Sequence, residues 1–176
     1  MKNLVVIEGN EKLGKTKVAK RIAKDLNYNY VKFPNIENET GKEIRRILEG
    51  KEIYSPASFQ ALNAIDKQLT YFSGNSIIDR YTESQRIYGY LDGVSKELLD
   101  ELCLGLPKPD IVFVFTGTPF CKDTEIFGSR TQQVDAFYED YLYEMRNNPK
   151  VVRIEANKNY DETIDEIKEY IFHLGR

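Results

Sequence analysis

The sequence is poor in residues that bind metals or form cross-links: it has one histidine, two cysteines and no tryptophan. A single histidine, His173, excludes a histidine-rich metal site and argues against a histidine-based catalytic triad. Its place in a predicted last helical turn indicates an exposed residue. Two cysteines, Cys103 and Cys121, are too few for a disulfide framework, so we expect reduced thiols and a cytoplasmic protein.

Long hydrophobic runs and a surplus of charge are missing as well. No apolar run reaches the roughly 18 residues that a membrane span requires. The short run at 4–7 is followed by Glu8, and we therefore expect neither export nor a membrane partner. The 25 basic and 28 acidic side chains leave a net charge of −3, which argues against a nucleic acid partner.

The 176 residues suffice for one domain with a sizeable core, and no repeat or linker divides them. Apolar runs of strand length alternate with segments of helical periodicity. This alternation predicts an α/β fold over 1–176, a five-stranded parallel sheet flanked by helices on both faces. The predicted strands are 4–7, 28–33, 76–78, 110–115 and 151–154, and the predicted helices are 14–26, 41–49, 56–72, 82–91, 95–104, 131–147 and 161–172.

The segment after the first predicted strand has the pattern GxxxxGK[ST] and precedes a helix. Its glycines let successive amide N–H groups, with the N-terminus of the helix, form a cradle for phosphates. Lys15 would reach the β- and γ-phosphate oxygens, and the hydroxyl of Thr16 would bind Mg²⁺. We therefore predict an ATP site, made of Gly9, Asn10, Glu11, Lys12, Leu13, Gly14, Lys15 and Thr16.

A magnesium ion at such a loop needs a second protein oxygen at the end of a neighbouring strand. Asp79 meets that requirement, because it follows the predicted strand 76–78. An aspartate in this place can instead cap the helix that follows. The sequence predicts a magnesium site of Thr16 and Asp79, with helix capping as the alternative role of the carboxylate.

Four further features occur together and in order along the chain. They are Ile7-Glu8-Gly9, Phe33-Pro34, Asp79-Arg80-Tyr81 with Ser84, and Gly105-Leu106-Pro107-Lys108-Pro109-Asp110. This combination resembles the thymidylate kinase family, above all its eukaryotic and viral branch, in which a GLPKPD stretch precedes the fourth strand. The resemblance extends from Val5 to about Ile167. It implies a three-layer P-loop kinase fold with a short lid around 122–131, and a homodimer.

The implied reaction is transfer of the ATP γ-phosphoryl group to a deoxynucleoside monophosphate, dTMP by default, with Mg²⁺. Four cations match catalytic positions of the family. Lys15 belongs to the segment 9–16, which we call the phosphate loop, and Lys12 stands where the eukaryotic branch has an arginine that clamps the transferring phosphates. Arg80 matches the arginine that binds the acceptor phosphate, and Arg130 matches the lid arginine.

The resemblance also implies an acceptor site. Glu11 matches the acidic residue that holds the sugar 3′-hydroxyl, and Tyr88 matches the aromatic residue that packs against the sugar and disfavours a 2′-hydroxyl. Gln85 stands where a polar side chain can reach the base edge. The implied acceptor residues are Glu11, Phe33, Asn63, Lys67, Arg80, Ser84, Gln85 and Tyr88, and 156–158 match a loop near the donor adenine.

Three positions depart from the family pattern, all at the acceptor site. Asn63 replaces the aromatic residue that stacks on thymine, and Lys67 replaces an arginine that contacts base and phosphate. Ile36 occupies the position of an arginine or tyrosine that reaches the acceptor phosphate. Phe59, one turn before Asn63, can still supply an aromatic wall.

These departures leave three functions open. The first is a deoxynucleoside monophosphate kinase, with dTMP as the default acceptor. The second is a related kinase for another or modified deoxynucleoside monophosphate, or for a deoxynucleoside. The third is an ATP-binding module without turnover. Asp79-Arg80-Tyr81 favours a monophosphate acceptor, and retention of Lys15 and Thr16 opposes the module.

Overall fold

Strands and helices alternate in the computed structural model, which describes residues 3–119, 128–156 and 159–174. The elements are β1 (Leu4–Gly9), α1 (Lys15–Leu26), β2 (Asn29–Lys32), α2 (Glu39–Leu48), α3 (Pro56–Leu69), β3 (Ser76–Asp79), α4 (Thr82–Leu91), α5 (Lys96–Cys103), β4 (Ile111–Thr116), α6 (Gly128–Glu144), β5 (Val151–Glu155) and α7 (Tyr160–His173). The strands pair in parallel, in the order β2-β3-β1-β4-β5. The predicted α/β fold with a five-stranded parallel sheet is confirmed.

Helices cover both faces of this sheet because successive strand residues point to opposite faces. Val5 belongs to a core cluster that includes Ile22 of α1 and Ile167 of α7. Val6, the next residue, belongs to a second cluster that includes Ile87 of α4 and Tyr138 of α6. The two clusters make three layers, and the central strand β1 is buried between them.

Four strands extend one or two residues further than predicted at their carboxyl ends, in β1, β3, β4 and β5. In β1, β3 and β5 the prediction was wrong because a charged residue was taken to end the strand, whereas β4 extends to the uncharged Thr116. Glu8 and Asp79 are 0% and 1% exposed and lie inside the sheet, where Ile7 pairs with Asp79 and Glu8 pairs with Val114. Burial of these two carboxylates is tolerated because each accepts hydrogen bonds from other residues of the protein, and both are therefore held rigidly.

Helix boundaries shift for local reasons. The third helix was predicted to reach residue 72 but ends at Leu69, because Thr70 is extended and its hydroxyl donates to the carbonyl of Asp66 at 2.8 Å. The sixth begins and ends three residues earlier than predicted. The helix 82–91 is confirmed, and His173 is exposed at the end of α7, as expected.

Several predictions fall on residues outside the described ranges. These include Cys121, most of the implied lid at 122–131, and residues 157 and 158 of the loop implied near the donor adenine. Cys103 is a buried free thiol. Among the described helices, none combines the length and apolar character that crossing a membrane requires.

Candidate active site

A cleft of about 890 Å³ lies at the carboxyl edge of the sheet. All of the residues predicted for catalysis, nucleotide binding and metal binding line it, except Gly9, Asn10 and Leu13. Its walls come from the loop between β1 and α1, from α3, and from the turn between β3 and α4. The lining residues are Glu11, Lys12, Gly14, Lys15, Thr16, Lys17, Lys20, Lys32, Phe33, Pro34, Arg45, Leu48, Phe59, Gln60, Asn63, Lys67, Asp79, Arg80, Tyr81, Ser84, Gln85, Tyr88, Asp92 and Arg130.

Two glycines shape the loop between β1 and α1. Gly9 has a φ of +126°, and a Cβ atom there would lie 2.4 Å from the carbonyl oxygen of Phe115, so only glycine fits. Gly14 has a φ of +77° and is the N-cap of α1. The loop therefore ends at the amide N–H groups of the first helical turn, where an anion is favoured.

Two side chains of the loop point into the protein. The amide nitrogen of Asn10 donates to the carbonyl of Thr131 at 2.9 Å and to the carboxylate of Asp135 at 2.8 Å. Leu13 packs in the core cluster on the α1 side of the sheet. Both residues can therefore serve a phosphate only through their backbone, whereas Glu11 lines the cleft with its side chain.

Lys15 is a buried cation at the base of the cleft. Its ammonium donates to the carbonyl of Asn10. Burial and, to a smaller extent, the charge of Arg80 lower the pKa of Lys15 to about 7, while the charges of Asp79 and Glu8 act in the opposite direction. A phosphate bound beside Lys15 would favour the charged form and supply the missing counter-charge.

The hydroxyl of Thr16 and the carboxylate of Asp79 form a hydrogen-bonded pair of oxygens. The Oγ1–Oδ2 distance is 2.5 Å, and Asp79 also accepts a hydrogen bond from the hydroxyl of Tyr30 at 3.1 Å. The ammonium of Lys32 lies 3.8 Å from the same carboxylate. Hard oxygen donors of this kind suit Mg²⁺, which keeps several waters and takes few protein ligands. The N-cap of α4 is Tyr81, so Asp79 is not the helix cap.

Arg80 follows Asp79 in a left-handed conformation, with a φ of +70°. Its amide donates to the carbonyl of Ile7 at 3.0 Å. The guanidinium donates to the hydroxyl of Ser84 at 3.3 Å and lies 3.9 Å from the carboxylate of Glu11. The turn therefore directs the cation into the cleft that also contains Lys15.

Two guanidinium groups lie against the ring of Tyr88. The Arg80 group is 5.6 Å and the Arg130 group 5.8 Å from the ring centroid. Arg130 also donates to the carboxylate of Asp92 at 2.7 Å. Tyr88 thus brings the predicted lid arginine and the predicted acceptor arginine to one side of the cleft.

A buried polar cluster of α3 and α4 forms another wall of the cleft. The ammonium of Lys67 donates to the side-chain oxygen of Gln85 at 2.9 Å and lies 5.2 Å from the ring centroid of Phe33. Gln85 in turn donates to the carbonyl of Gln60 at 3.0 Å. These bonds hold one cation and one amide side by side, which is an arrangement able to read the edge of a base.

Burial lowers the pKa of Lys67 to about 8, against the opposing effect of nearby negative charges. In the unfolded chain that pKa is 10.5, so the unfolded state binds more protons between pH 8 and 10.5 and stability rises with pH there. We expect the unfolding free energy of the wild type to gain about 2 kcal/mol from pH 8 to 10 relative to Lys67→Met.

Urea unfolding of both variants at a series of pH values measures this difference. Lys15 titrates in the same window but is present in both proteins, so its contribution cancels. Identical pH dependence in the two proteins would contradict the shift assigned to Lys67.

The three positions that depart from the family pattern have different surroundings. Asn63 is half-buried in the cleft, and its amide donates to the carbonyl of Phe59 at 2.9 Å. Lys67 is fully enclosed. Ile36 is 62% exposed and does not line the cleft. An aromatic face is still present, because Phe33 and Phe59 both line the cleft.

Several residues of the site region were not predicted from the sequence, among them Gln60, Lys32, Glu8 and Asp92. Gln60 shares one face of α3 with Asn63 and Lys67, and that spacing of three and four residues could have revealed it. Lys32 ends β2 directly beside Asp79 in the sheet, so the position of a lysine at a strand end was a usable signal. Glu8 belongs to a feature of the family resemblance, but nothing near it in the chain indicates its hydrogen-bond partners, which lie far away in the sequence. Asp92 likewise pairs with a distant residue, Arg130.

The sheet order, the loop at the end of the central strand and the facing cations define the class of the P-loop kinases. A sequence model of the thymidylate kinase family matches residues 7–167. The chain belongs to the thymidylate kinase family, and it is accordingly a nucleotide kinase.

Relatives and solved structures agree with this membership. A probable thymidylate kinase of Methanococcus vannielii is 28% identical over 166 residues, which cover 90% of this chain and 78% of that protein. A viral relative, from Invertebrate iridescent virus 6, is 28% identical over 149 residues, covering 77% of this chain and 68% of its own length.

The fold itself matches solved thymidylate kinases. The enzyme from Ehrlichia chaffeensis superposes with a TM-score of 0.76 at 16% identity, over 97% of this chain and 98% of that one. The enzyme from Candida albicans gives a TM-score of 0.69 at 20% identity, over 98% and 92% of the two chains.

Proposed function

We propose that this kinase transfers the γ-phosphoryl group of ATP to dTMP, giving dTDP, and that it acts as a homodimer. The observation that carries the proposal is the shared cleft. Lys15 and the start of α1 line it together with Arg80 and the cluster around Lys67. A donor and an acceptor nucleotide can therefore meet with their phosphates between these cations.

The residues supply positioning and charge rather than covalent chemistry. Lys15 and the loop amides would hold the β- and γ-phosphates, and Arg80 would hold the acceptor phosphate. Lys12 and Arg130, both at the cleft, would neutralise charge that develops on the transferring group. Thr16 and Asp79 would hold Mg²⁺, which when bound supplies further charge neutralisation on the phosphate oxygens.

The acceptor nucleoside would lie against the wall of Phe33, Lys67 and Gln85. An ammonium at the base edge donates hydrogen bonds only, so it favours a keto oxygen such as O4 of thymine over the amino group of cytosine. Glu11 would accept a hydrogen bond from the sugar 3′-hydroxyl. Tyr88, which two guanidinium groups contact, would limit the space for a 2′-hydroxyl.

A second candidate is the same transfer to another or modified deoxynucleoside monophosphate, or to a deoxynucleoside. Two observations favour it. Ile36 contributes no cation and lies outside the cleft, and Asn63 puts a polar amide where an aromatic ring would stack. Asn63 could hydrogen-bond a base substituent that thymine lacks.

A panel of acceptors incubated with purified protein, ATP and Mg²⁺ separates the two candidates by the rate of ADP release. We expect dTMP to be the best acceptor, with its ribonucleotide counterpart at least about tenfold slower and thymidine inactive. Faster turnover of a modified deoxynucleotide or of thymidine would favour the second candidate. Equal rates with deoxyribose and ribose acceptors would contradict the role of Tyr88.

Replacing Asn63 by phenylalanine tests whether an aromatic ring at this position would stack on the thymine base. If thymine lies beside this residue, Asn63→Phe raises kcat/KM for dTMP about five- to tenfold, the value of one aromatic stacking contact. Ile65→Phe, which adds the same ring on the exposed side of α3, is the matched control. No gain in the first variant, or an equal gain in the second, would mean that the base lies elsewhere.

A further inference from the structure

Glu8 is a carboxylate with no exposure to solvent, one residue before the end of the central strand. Its Oε1 accepts hydrogen bonds from the amides of Tyr81 and Ser84, at 2.8 and 3.2 Å. Helix α4 has no hydrogen bond from the side chain of its own N-cap residue. A residue of β1 therefore caps α4 and places a negative charge at its positive end.

The second carboxylate oxygen of Glu8 extends this contact to Arg80. Ser84 donates its hydroxyl hydrogen to Oε2, and the same hydroxyl accepts from the guanidinium of Arg80 at 3.3 Å. A hydroxyl has one hydrogen to donate, so the bond to Glu8 fixes which way Ser84 presents its lone pairs. Arg80 is thereby attached to β1 twice: through its amide on Ile7 and through Ser84 on Glu8.

The same carboxylate also reaches helix α6. The hydroxyl of Tyr138 lies 3.1 Å from Oε2 of Glu8 and 3.0 Å from the hydroxyl of Ser84, and Tyr138 is buried. Helix α6 carries Arg130 near its start. Glu8 thus joins the turn that carries one cation of the cleft to the helix that carries another.

We propose that Glu8 is the positioning residue for Arg80: through Ser84 and the capped turn it holds the guanidinium in the orientation that receives the acceptor phosphate. This inference rests on the proposed function, in which Arg80 binds that phosphate. Without the hydrogen bonds that connect Arg80 to Glu8 through Ser84, the guanidinium is free to turn toward the carboxylate of Glu11, 3.9 Å away. Preorganisation of this kind lowers the cost of binding, because the cation need not be reordered.

Binding of two ligands that differ only in the phosphate tests the proposal. Calorimetry measures the Kd of dTMP and of thymidine for the wild type, Glu8→Gln, Ser84→Ala and Arg80→Ala, and for the double variant Glu8→Gln/Arg80→Ala. Glutamine keeps the size of Glu8 and an acceptor for the two amides, and Ser84→Ala removes the link even if the first variant fails to fold. Glu83→Gln is the matched control, because Glu83 is in the same helical turn but pairs with Arg86.

We expect Glu8→Gln and Ser84→Ala each to raise the Kd of dTMP about tenfold, which is the usual effect of losing a hydrogen bond to a charged group. The Kd values of thymidine and ATP should change less than about twofold. Glu83→Gln should bind all three ligands as the wild type does. In the Arg80→Ala background, Glu8→Gln should add nothing, since interacting residues are not additive.

If the variants bind dTMP, thymidine and ATP more weakly by the same factor, the inference is overturned, since Glu8 would then have only a structural role. Unchanged dTMP binding in both single variants, or full additivity with Arg80→Ala, would also overturn it. If Arg80→Ala itself leaves dTMP binding unchanged, the proposed role of Arg80 fails as well. Loss of dTMP affinity in Arg80→Ala alone would refute the positioning role and leave the proposed function standing.

Discussion

Replacing Lys15 by alanine is expected to lower kcat by about a hundredfold to a thousandfold while the protein stays folded. Lys15 is the buried lysine of the phosphate loop, and only 5% of it is exposed to solvent. A charge that stabilises the transferring phosphate there has an effect of this size on the rate. Stability should not fall, because the variant no longer buries a cation whose pKa is lowered to about 7.

Steady-state turnover with ATP and dTMP measures the effect, and thermal unfolding verifies the fold. Lys24→Ala is the matched control, because Lys24 is on the same helix but exposed and outside the cleft. It should retain the wild-type rate. A Lys15→Ala enzyme with unchanged turnover would refute the assignment of the phosphate loop.

Replacing Asp79 by asparagine is expected to lower kcat about a hundredfold or more at a fixed magnesium concentration. Asparagine keeps an oxygen that can accept the hydrogen bonds from Thr16 and Tyr30, so the fold should survive. It removes the negative charge that a divalent cation requires beside the phosphates. The concentration of Mg²⁺ that gives half-maximal activity should therefore rise as kcat falls.

Titration of Mg²⁺ at saturating ATP and dTMP measures both changes. Asp110→Asn removes the same charge at the opposite edge of the sheet, where Asp110 accepts a hydrogen bond from the amide of Leu4, and it should leave the Mg²⁺ dependence unaltered. If Asp79→Asn requires no more Mg²⁺ than the wild type, the metal site is made of other residues.

The phosphate loop was predictable because its chemistry depends on neighbours in the chain. Gly9 and Gly14 are needed for backbone angles that other residues adopt only with strain, and Lys15 and Thr16 follow directly in the first helical turn. Five apolar runs separated by helical segments also predicted the parallel sheet. Local patterns of this kind are complete within about ten residues, so the sequence displays them directly.

The ends of the strands were less predictable, because charge was taken as a sign of exposure. Glu8 is enclosed by donors from α4 and α6, and Asp79 by Thr16 and Tyr30. Those partners lie up to 130 positions away. A carboxylate is buried only when such donors converge on it, and convergence is a property of the packed molecule.

Recognition of the family from Asp79-Arg80-Tyr81 and the stretch at 105–110 was confirmed by the family match. The same resemblance implied that Phe33, Lys67 and Gln85 bind the base, but it did not indicate which hydrogen bonds hold them in place. The bond from Lys67 to Gln85, and from Gln85 to Gln60, joins α3 to α4. Neither spacing nor composition indicates which polar side chains pair across two helices.

Taken alone, the amino-acid sequence determined the α/β class and the family, and it predicted the loop that would bind a polyphosphate. Backbone conformations and apolar periodicity are properties of short segments, so they could be read without coordinates. Only the tertiary structure showed that Arg80 is connected to Glu8 through Ser84 and that Ile36 lies outside the cleft. It also showed that Arg130 pairs with Asp92 and contacts the ring of Tyr88. Those relations exist because sheet and helix packing brings distant residues within hydrogen-bonding distance, and no local pattern records the packing.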